Sequence, residues 1–334
     1  MITTTTATTE ATEATEATEA TEDRDGGNPA AADLEEVPVT TRPVPVAHRT
    51  TDVDGIPVFY REAGPADAPV LLLPHGYPCS SFQFRGLMPE LGDRWRLVAP
   101  DYPGFGRSGT PPRGQFAYTF DAYAEFLVRF TEVLGLTRYA IWLHDYGSQF
   151  GLRLAMHAPE RVAALIVQNG DIYPAEHGPK YAPLKEYWTN PTPEGRERIA
   201  DAVDEEGFRG EFIGEIPDHL VARVSPDLWT LAWAQVAGTP GRRENLVNLL
   251  ADQGTTMDWF GRQQAYLREH RPPTLIVWGP RDGYMPEAAG RAYLRDLPDA
   301  EFHVLPDAGH WAMETHLAEI VDLTRDFLGR VHPK

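Results

Sequence analysis

The chain is poor in cysteine, in basic residues and in long apolar runs. Cys79 is the single cysteine among 334 residues, which excludes an intramolecular disulfide and any metal site built on several thiolates. Acids outnumber bases by 49 to 30, for a formal charge of −19. Nucleic acid is a poor partner for such a surface, since the phosphate backbone calls for positive charge. No stretch approaches the roughly 20 apolar residues of a membrane span. The N-terminus shows neither the basic region nor the apolar core of a secretory signal. A cytoplasmic protein with no nucleic-acid or membrane partner is expected.

Large apolar side chains are also missing from the first forty residues, where a Thr-Ala-Glu triplet repeats. Up to Thr40 there are ten acids and one base, so this part carries −9 of the net −19. Such a tract cannot bury enough surface to offset its ordering entropy, and residues 1–44 read as a disordered acidic tail. The rest has an ordinary acidic surface. Its 42% apolar content and eight Trp suffice for a large core.

From Pro45 the pattern becomes regular. Two β-prone runs flank Asp54-Gly55, a hairpin signal. Buried-strand patterns follow at Val70–Pro74, Arg96–Pro100, Tyr139–His144 and Ala164–Gly170. Between the second and third, Tyr123, Phe126, Leu127, Phe130 and Leu134 recur at helical spacing. Alternating strands and helices predict a mostly parallel sheet with helices on both faces. The alternation stops near Asp171 and resumes with strand patterns at Thr274–Gly279 and Glu301–Pro306, before a final amphipathic helix. Residues 171–271 therefore read as a helical cap inserted after the sixth strand, between core segments 45–170 and 272–334. An insertion at the carboxyl ends of the strands would close a ligand pocket.

The stretch LHDYG, Leu143 to Gly147, joins a strand pattern to a helix pattern. That is the layout of a nucleophile elbow, with Asp145 where serine usually stands. Asp145 could instead cap the helix that follows. Three further stretches lie at strand ends. HGYP (His75–Pro78) is placed to offer the Tyr77 N–H to an oxyanion, and the N–H after the nucleophile, that of Tyr146, is the second donor. WGPRD places Asp282 where an acid would orient a histidine. DAGHW supplies His310 as the base. The order nucleophile, acid, histidine is the one this architecture uses. Other features read as structural. The GxG of Gly104–Gly109 lacks the context of a dinucleotide site, His144 reads as a packed residue, Cys79 as a small loop residue, and Asp101 as an anchor for its loop.

HGYPCSSFQFR, LVAPDYPGFGRSGTPP, HDYGSQFGLRLAMHAPERV, WGPRD and GHWAMETH together resemble the α/β-hydrolase branch of haloalkane dehalogenases and epoxide hydrolases. The resemblance implies an α/β-hydrolase fold, no cofactor and no metal, a small apolar organic substrate with water as co-substrate, and a monomer or homodimer. It also implies an Asp nucleophile. A carboxylate that attacks an sp³ carbon leaves an ester, which water can cleave, whereas a serine would leave an inert ether. Asp145 would form the ester and His310, oriented by Asp282, would activate water. Asp171, at the end of the preceding strand, is an alternative acid.

Leu143, PCSSFQFR and DYGS read closer to dehalogenases, so cleavage of a carbon–halogen bond is expected, with epoxide opening as the alternative. A general ester hydrolase or a non-catalytic ligand-binding protein fits less well. The usual halide cage is incomplete, because Tyr146 and Tyr77 occupy its positions. Tyr187 and the Trp188 indole are the cap groups expected at the leaving group, although Trp188, Trp229 and Trp233 also read as core packing. Tyr146 and Gln149 stand where a clamp for small haloacids would need arginine.

Overall fold

A computed structural model describes residues 43–333. The expected acidic tail lies, but for its last two residues, outside the described residues. Strands β1 (Ala47–Val53) and β2 (Ile56–Ala63) form an antiparallel hairpin. Asp54 and Gly55 turn it with φ of 53° and 81°, the pair of positive angles that a tight hairpin needs.

The remaining strands are β3 (Val70–Leu72), β4 (Arg96–Pro100), β5 (Tyr139–Leu143), β6 (Val162–Gln168), β7 (Thr274–Trp278) and β8 (Glu301–Val304). They complete one eight-stranded sheet in the order β1-β2-β4-β3-β5-β6-β7-β8. Only the two pairings of β2 are antiparallel.

Strand alternation divides the core into two layers. Leu72, Ile141, Leu143, Leu165, Val167, Ile276 and Trp278 face one way. Leu71, Leu73, Ala140, Trp142, Ile166, Leu275 and Val277 face the other. The first layer meets the Phe120–Val133 helix through Phe120, Tyr123, Phe126, Leu127 and Phe130. The second meets the Leu317–Val331 helix through Ile320, Val321, Phe327 and Leu328. Burying each such side chain contributes about 1.5–3 kcal/mol, so both faces must be covered, as the near-continuous apolar strands require.

Between β6 and β7 the chain forms helices at Ala182–Thr189, Pro193–Asp201, Glu205–Ile213, Pro240–Asp252 and Met257–His270, with shorter turns between them. Phe208, Phe212, Leu246, Leu249 and Phe260 from this segment join the same apolar cluster as the first layer. No described helix is long and apolar enough to cross a membrane.

Candidate active site

Asp145 sits between β5 and the Tyr146–His157 helix with φ 47° and ψ −130°. A side chain at positive φ is strained unless its surroundings hold it, and here they do. A Cβ on Gly147 would stand 2.2 Å from the Pro74 carbonyl oxygen, and one on Gly76 would stand 2.6 Å from Asp145 Cβ. The helix therefore meets the end of β3 backbone to backbone at Gly147, and the loop after β3 lies against the Asp145 side chain at Gly76, two approaches that leave no room for a Cβ. Asp145 makes no side-chain capping bond to the helix. Its Oδ1 accepts the Tyr77 N–H at 2.6 Å, and its Oδ2 stands 3.5 Å from His310 Nε2. The Tyr146 N–H, also expected at this position, does not bond the carboxylate among the described residues.

His310 follows β8, and its Nδ1 donates to Asp282 Oδ2 at 2.6 Å. Asp282 Oδ1 accepts the N–H groups of Tyr284 and Met285 at 2.8 and 2.9 Å. Its Oδ2 also accepts from Asn169 Nδ2 at 2.9 Å. Burial would push the Asp282 carboxyl up, but the His310 charge and these bonds hold it below the usual range. Burial would likewise depress His310, yet the charges and hydrogen bonds of Asp282 and Asp145 raise it well above the ordinary histidine range. Two carboxylates thus favour the imidazolium. The alternative acid, Asp171, is elsewhere: its Oδ2 pairs with His177 Nε2 at 2.7 Å, and its Oδ1 accepts the Tyr173 N–H.

His144 is fully buried beneath the site. It bridges the His310 carbonyl at 3.1 Å and Gln83 Nε2 at 2.8 Å, while Gln83 Oε1 accepts the Gly76 N–H. Burial and the neighbouring His310 charge push its pKa down to about 3, so it is a neutral strut between two strand-end loops. Burial pushes the Cys79 thiol up to about 12, which leaves it a poor nucleophile. Asp101 accepts the N–H groups of Ser81 and Arg107 and ties two loops together.

A cavity of about 30 Å³ opens over Asp145, lined by Tyr77, Tyr146, Tyr181, Glu211, Tyr284 and His310 with three further residues. A wider groove of about 580 Å³ beside the hairpin contains none of Asp145, Asp282 and His310. Burial, first among the causes, raises the phenols of Tyr77, Tyr146, Tyr181 and Tyr284 well above their ordinary range. All four are therefore proton-bearing at neutral pH. Tyr146 donates its hydroxyl to Gln253 at 2.8 Å.

The two expected cap residues are placed otherwise. The Trp188 indole N–H donates to the Leu250 carbonyl at 3.1 Å, so that donor is already used, although the ring borders a smaller void beside Asp145. Tyr187 packs against Gly195 in the helical segment and does not line either void. Tyr181, Glu211 and Gln253 line the cavity instead, together with Tyr284 from the core. Tyr284 lies only two residues past Asp282 in a strand-end loop, a position that could have flagged it. Glu211 and Gln253 carry no comparable sequence signal. Among the described residues no cluster of His, Cys, Asp and Glu is arranged to hold a metal.

Residues 69–317, which include Asp145, Asp282 and His310, match the alpha/beta hydrolase fold family. The chain therefore belongs to the α/β-hydrolase family, and it is a hydrolytic enzyme. It is 32% identical over 279 residues to an uncharacterized hydrolase of Saccharomyces cerevisiae, a match covering 82% of this chain and 94% of that one. It is 36% identical over 138 residues to a haloalkane dehalogenase of Mycolicibacterium paratuberculosis, covering 41% of this chain and 45% of the relative. A crystal structure of the haloalkane dehalogenase DbeA from Bradyrhizobium elkani superposes with a TM-score of 0.72 at 21% identity, covering 86% of this chain and 99% of that one. At that identity the likeness concerns the fold.

Proposed function

We propose that the protein hydrolyses a small uncharged electrophile at an sp³ carbon through an ester on Asp145. The observation that carries this reading is the environment of the Asp145 carboxylate. One oxygen is held by the Tyr77 N–H at 2.6 Å, and the other faces the cavity beside His310. The free oxygen attacks carbon. Esterification removes the Asp145 charge, so His310 releases its extra proton to solvent and, as the neutral base, takes a proton from water, which adds to the ester carbonyl while the Tyr77 N–H receives the developing oxyanion. Asp282 fixes the imidazole tautomer and stabilises its charged form.

Two electrophiles suit this mechanism. The dehalogenase relatives support a carbon–halogen bond, whose leaving group departs without a proton. The cavity supports an epoxide, whose leaving oxygen needs one. Four phenols surround the cavity; Tyr146 and Tyr284 donate to Gln253 and Glu211 and the Trp188 indole donates to Leu250, so the Tyr77 and Tyr181 phenols are the donors left for a leaving oxygen. We take epoxide opening as the reading the geometry supports best, with Tyr181 as a donor from the helical segment. Carbon–halogen cleavage is the second reading.

A single turnover in ¹⁸O-labelled water tests the ester. The new oxygen of the product should be unlabelled, and the label should appear in the Asp145 carboxyl. Label in the product on the first turnover would mean that water attacks the substrate directly, and the reading would fail.

A further inference from the structure

The cavity over Asp145 has a second carboxyl group in its wall, that of Glu211 on the Glu205–Ile213 helix, beside the aliphatic Leu184 and Leu250. Glu211 Oε1 accepts the Tyr284 hydroxyl at 2.9 Å. Glu211 Oε2 has no hydrogen-bond donor among the described residues. The Lys180 ammonium stands 3.7 Å from it, beyond hydrogen-bond reach, and lies closer to Glu215, at 3.2 Å. One cation is thus shared by two carboxyl groups. Desolvation raises the Glu211 carboxyl above its usual range, and Lys180, the Tyr284 bond and His310 oppose the rise. The Tyr284 O–H points its proton at this oxygen, so Glu211 serves the cavity as an acceptor.

We propose that Glu211 is a specificity-determining residue that selects substrates carrying a hydroxyl group, its Oε2 accepting the substrate O–H while Asp145 attacks carbon. A carboxylate only accepts, and its two oxygens offer about four lone-pair sites. Covered by a substrate that brings no donor, it loses water and gains nothing in return. A substrate hydroxyl restores the bond. Sites that hydrogen-bond a substrate hydroxyl therefore reject the analogue that lacks it far more strongly than an apolar pocket rejects an extra methylene. A hydroxyl brings one donor for the one free oxygen. An ammonium would bring three, with a charge that Lys180 already supplies. The free volume of about 30 Å³ has room for about two water-sized groups, so the hydroxyl lies within a carbon or two of the reacting centre. The class is a short-chain alcohol that bears the electrophile. This inference rests on the Asp145 ester reading above and holds for an epoxide or a halide.

The test is internal competition between near-isosteric pairs that differ by hydroxyl against methyl. Glycidol competes with 1,2-epoxybutane, and 3-bromopropan-1-ol with 1-bromobutane. Consumption followed by gas chromatography gives the ratio of kcat/KM within each pair, and the pair that the full-length enzyme turns over decides. The unaltered enzyme should favour the hydroxyl member by about 10–10²-fold. A ratio within about threefold, or one that favours the methyl member, would overturn the inference without any variant. Glu211→Leu should bring the ratio close to one, with the methyl member gaining in kcat/KM as the hydroxyl member loses. A folding defect slows both members and leaves their ratio alone, so it cannot imitate this crossing. Glu211→Gln, which keeps the shape and drops the charge, should fall between. A hydroxyl preference that persists unchanged in both variants would overturn the role given to Glu211. Failure of the ester reading shows differently, as no Asp145 adduct from either pair in His310→Gln, and it would remove this inference too.

Discussion

The cavity has a floor and a roof built on different principles. The floor is Tyr77, Asp145, Tyr146, Tyr284 and His310, held at strand ends by close contacts: Gly147 against the Pro74 backbone, Gly76 against the Asp145 side chain, and the Asp282 carboxylate on the N–H groups of its own loop. The roof is Tyr181, Leu184, Glu211, Leu250 and Gln253, carried on helices and turns between β6 and β7. Floor positions follow from the fold, so the chemistry they offer is narrow. Roof positions are set by which side chains the helices present, so they tune the leaving group and the fit.

The largest predicted effect lies in the floor. Asp145→Asn should lower turnover of any substrate by on the order of 10⁴–10⁶-fold, measured as steady-state kcat, and abolish covalent adducts. Asp282→Asn should slow ester hydrolysis by about 10⁴-fold, because the imidazole loses the partner that fixes its tautomer and charge. Asp171→Asn should slow it by less than about tenfold, since Asp171 pairs with His177 instead. Stopped-flow measurement of the hydrolytic phase separates the two. Comparable losses would mean that the Asp282 contact is not the working one.

A roof substitution should act on the other half-reaction. Tyr181→Phe should slow alkylation by an epoxide by roughly 10–10²-fold and leave ester hydrolysis nearly unchanged. A matching loss in both phases would blur the division between floor and roof.

The strut beneath the floor gives a stability prediction. The ordinary histidine pKa of 6.5 is pushed down to about 3 for His144 in the fold. Below pH 6.5 the unfolded chain binds a proton that the native state refuses, so the contribution of His144 falls as pH drops from 6.5 toward 3. Urea unfolding across that range should show a slope up to about 1.4 kcal/mol per pH unit shallower in His144→Gln. Equal slopes would show that His144 is not the group refusing the proton. The smallest effect is expected of Trp188→Phe, which removes one hydrogen bond to Leu250. It should cost about 1 kcal/mol of stability and change halide inhibition by less than about threefold, read by thermal melting and inhibition kinetics.

The same division explains what could be read from the sequence. Strand patterns at Arg96–Pro100 and Thr274–Gly279 match β4 and β7 to within a residue, because buried parallel strands leave unbroken apolar runs. The residues placed at strand ends, Asp145, Asp282 and His310, come together for the same reason: an alternating strand–helix chain has only one edge where such loops meet. Reading Asp145 as a helix cap loses ground because its carboxylate takes the Tyr77 N–H instead of a helix amide. The roof was not legible in this way. Residue type points to Tyr187 and Trp188, yet the first packs at Gly195 and the second bonds Leu250. Helical spacing says that a helix has an inner face, but not which inner residue reaches the cavity. Glu211 illustrates the gap, since a glutamate in a charged helix gives no sign that its side chain meets the Tyr284 hydroxyl in the cavity wall.

The central claim is that Asp145 becomes covalently bound to substrate, and mass spectrometry of the His310→Gln enzyme tests it most directly. After incubation with panels of epoxides and haloalkanes, the Asp145 peptide should gain the mass of the whole epoxide, or of the alkyl group less its halide. No adduct from either panel, with ordinary carboxylic esters turned over by the unaltered enzyme, would contradict the account.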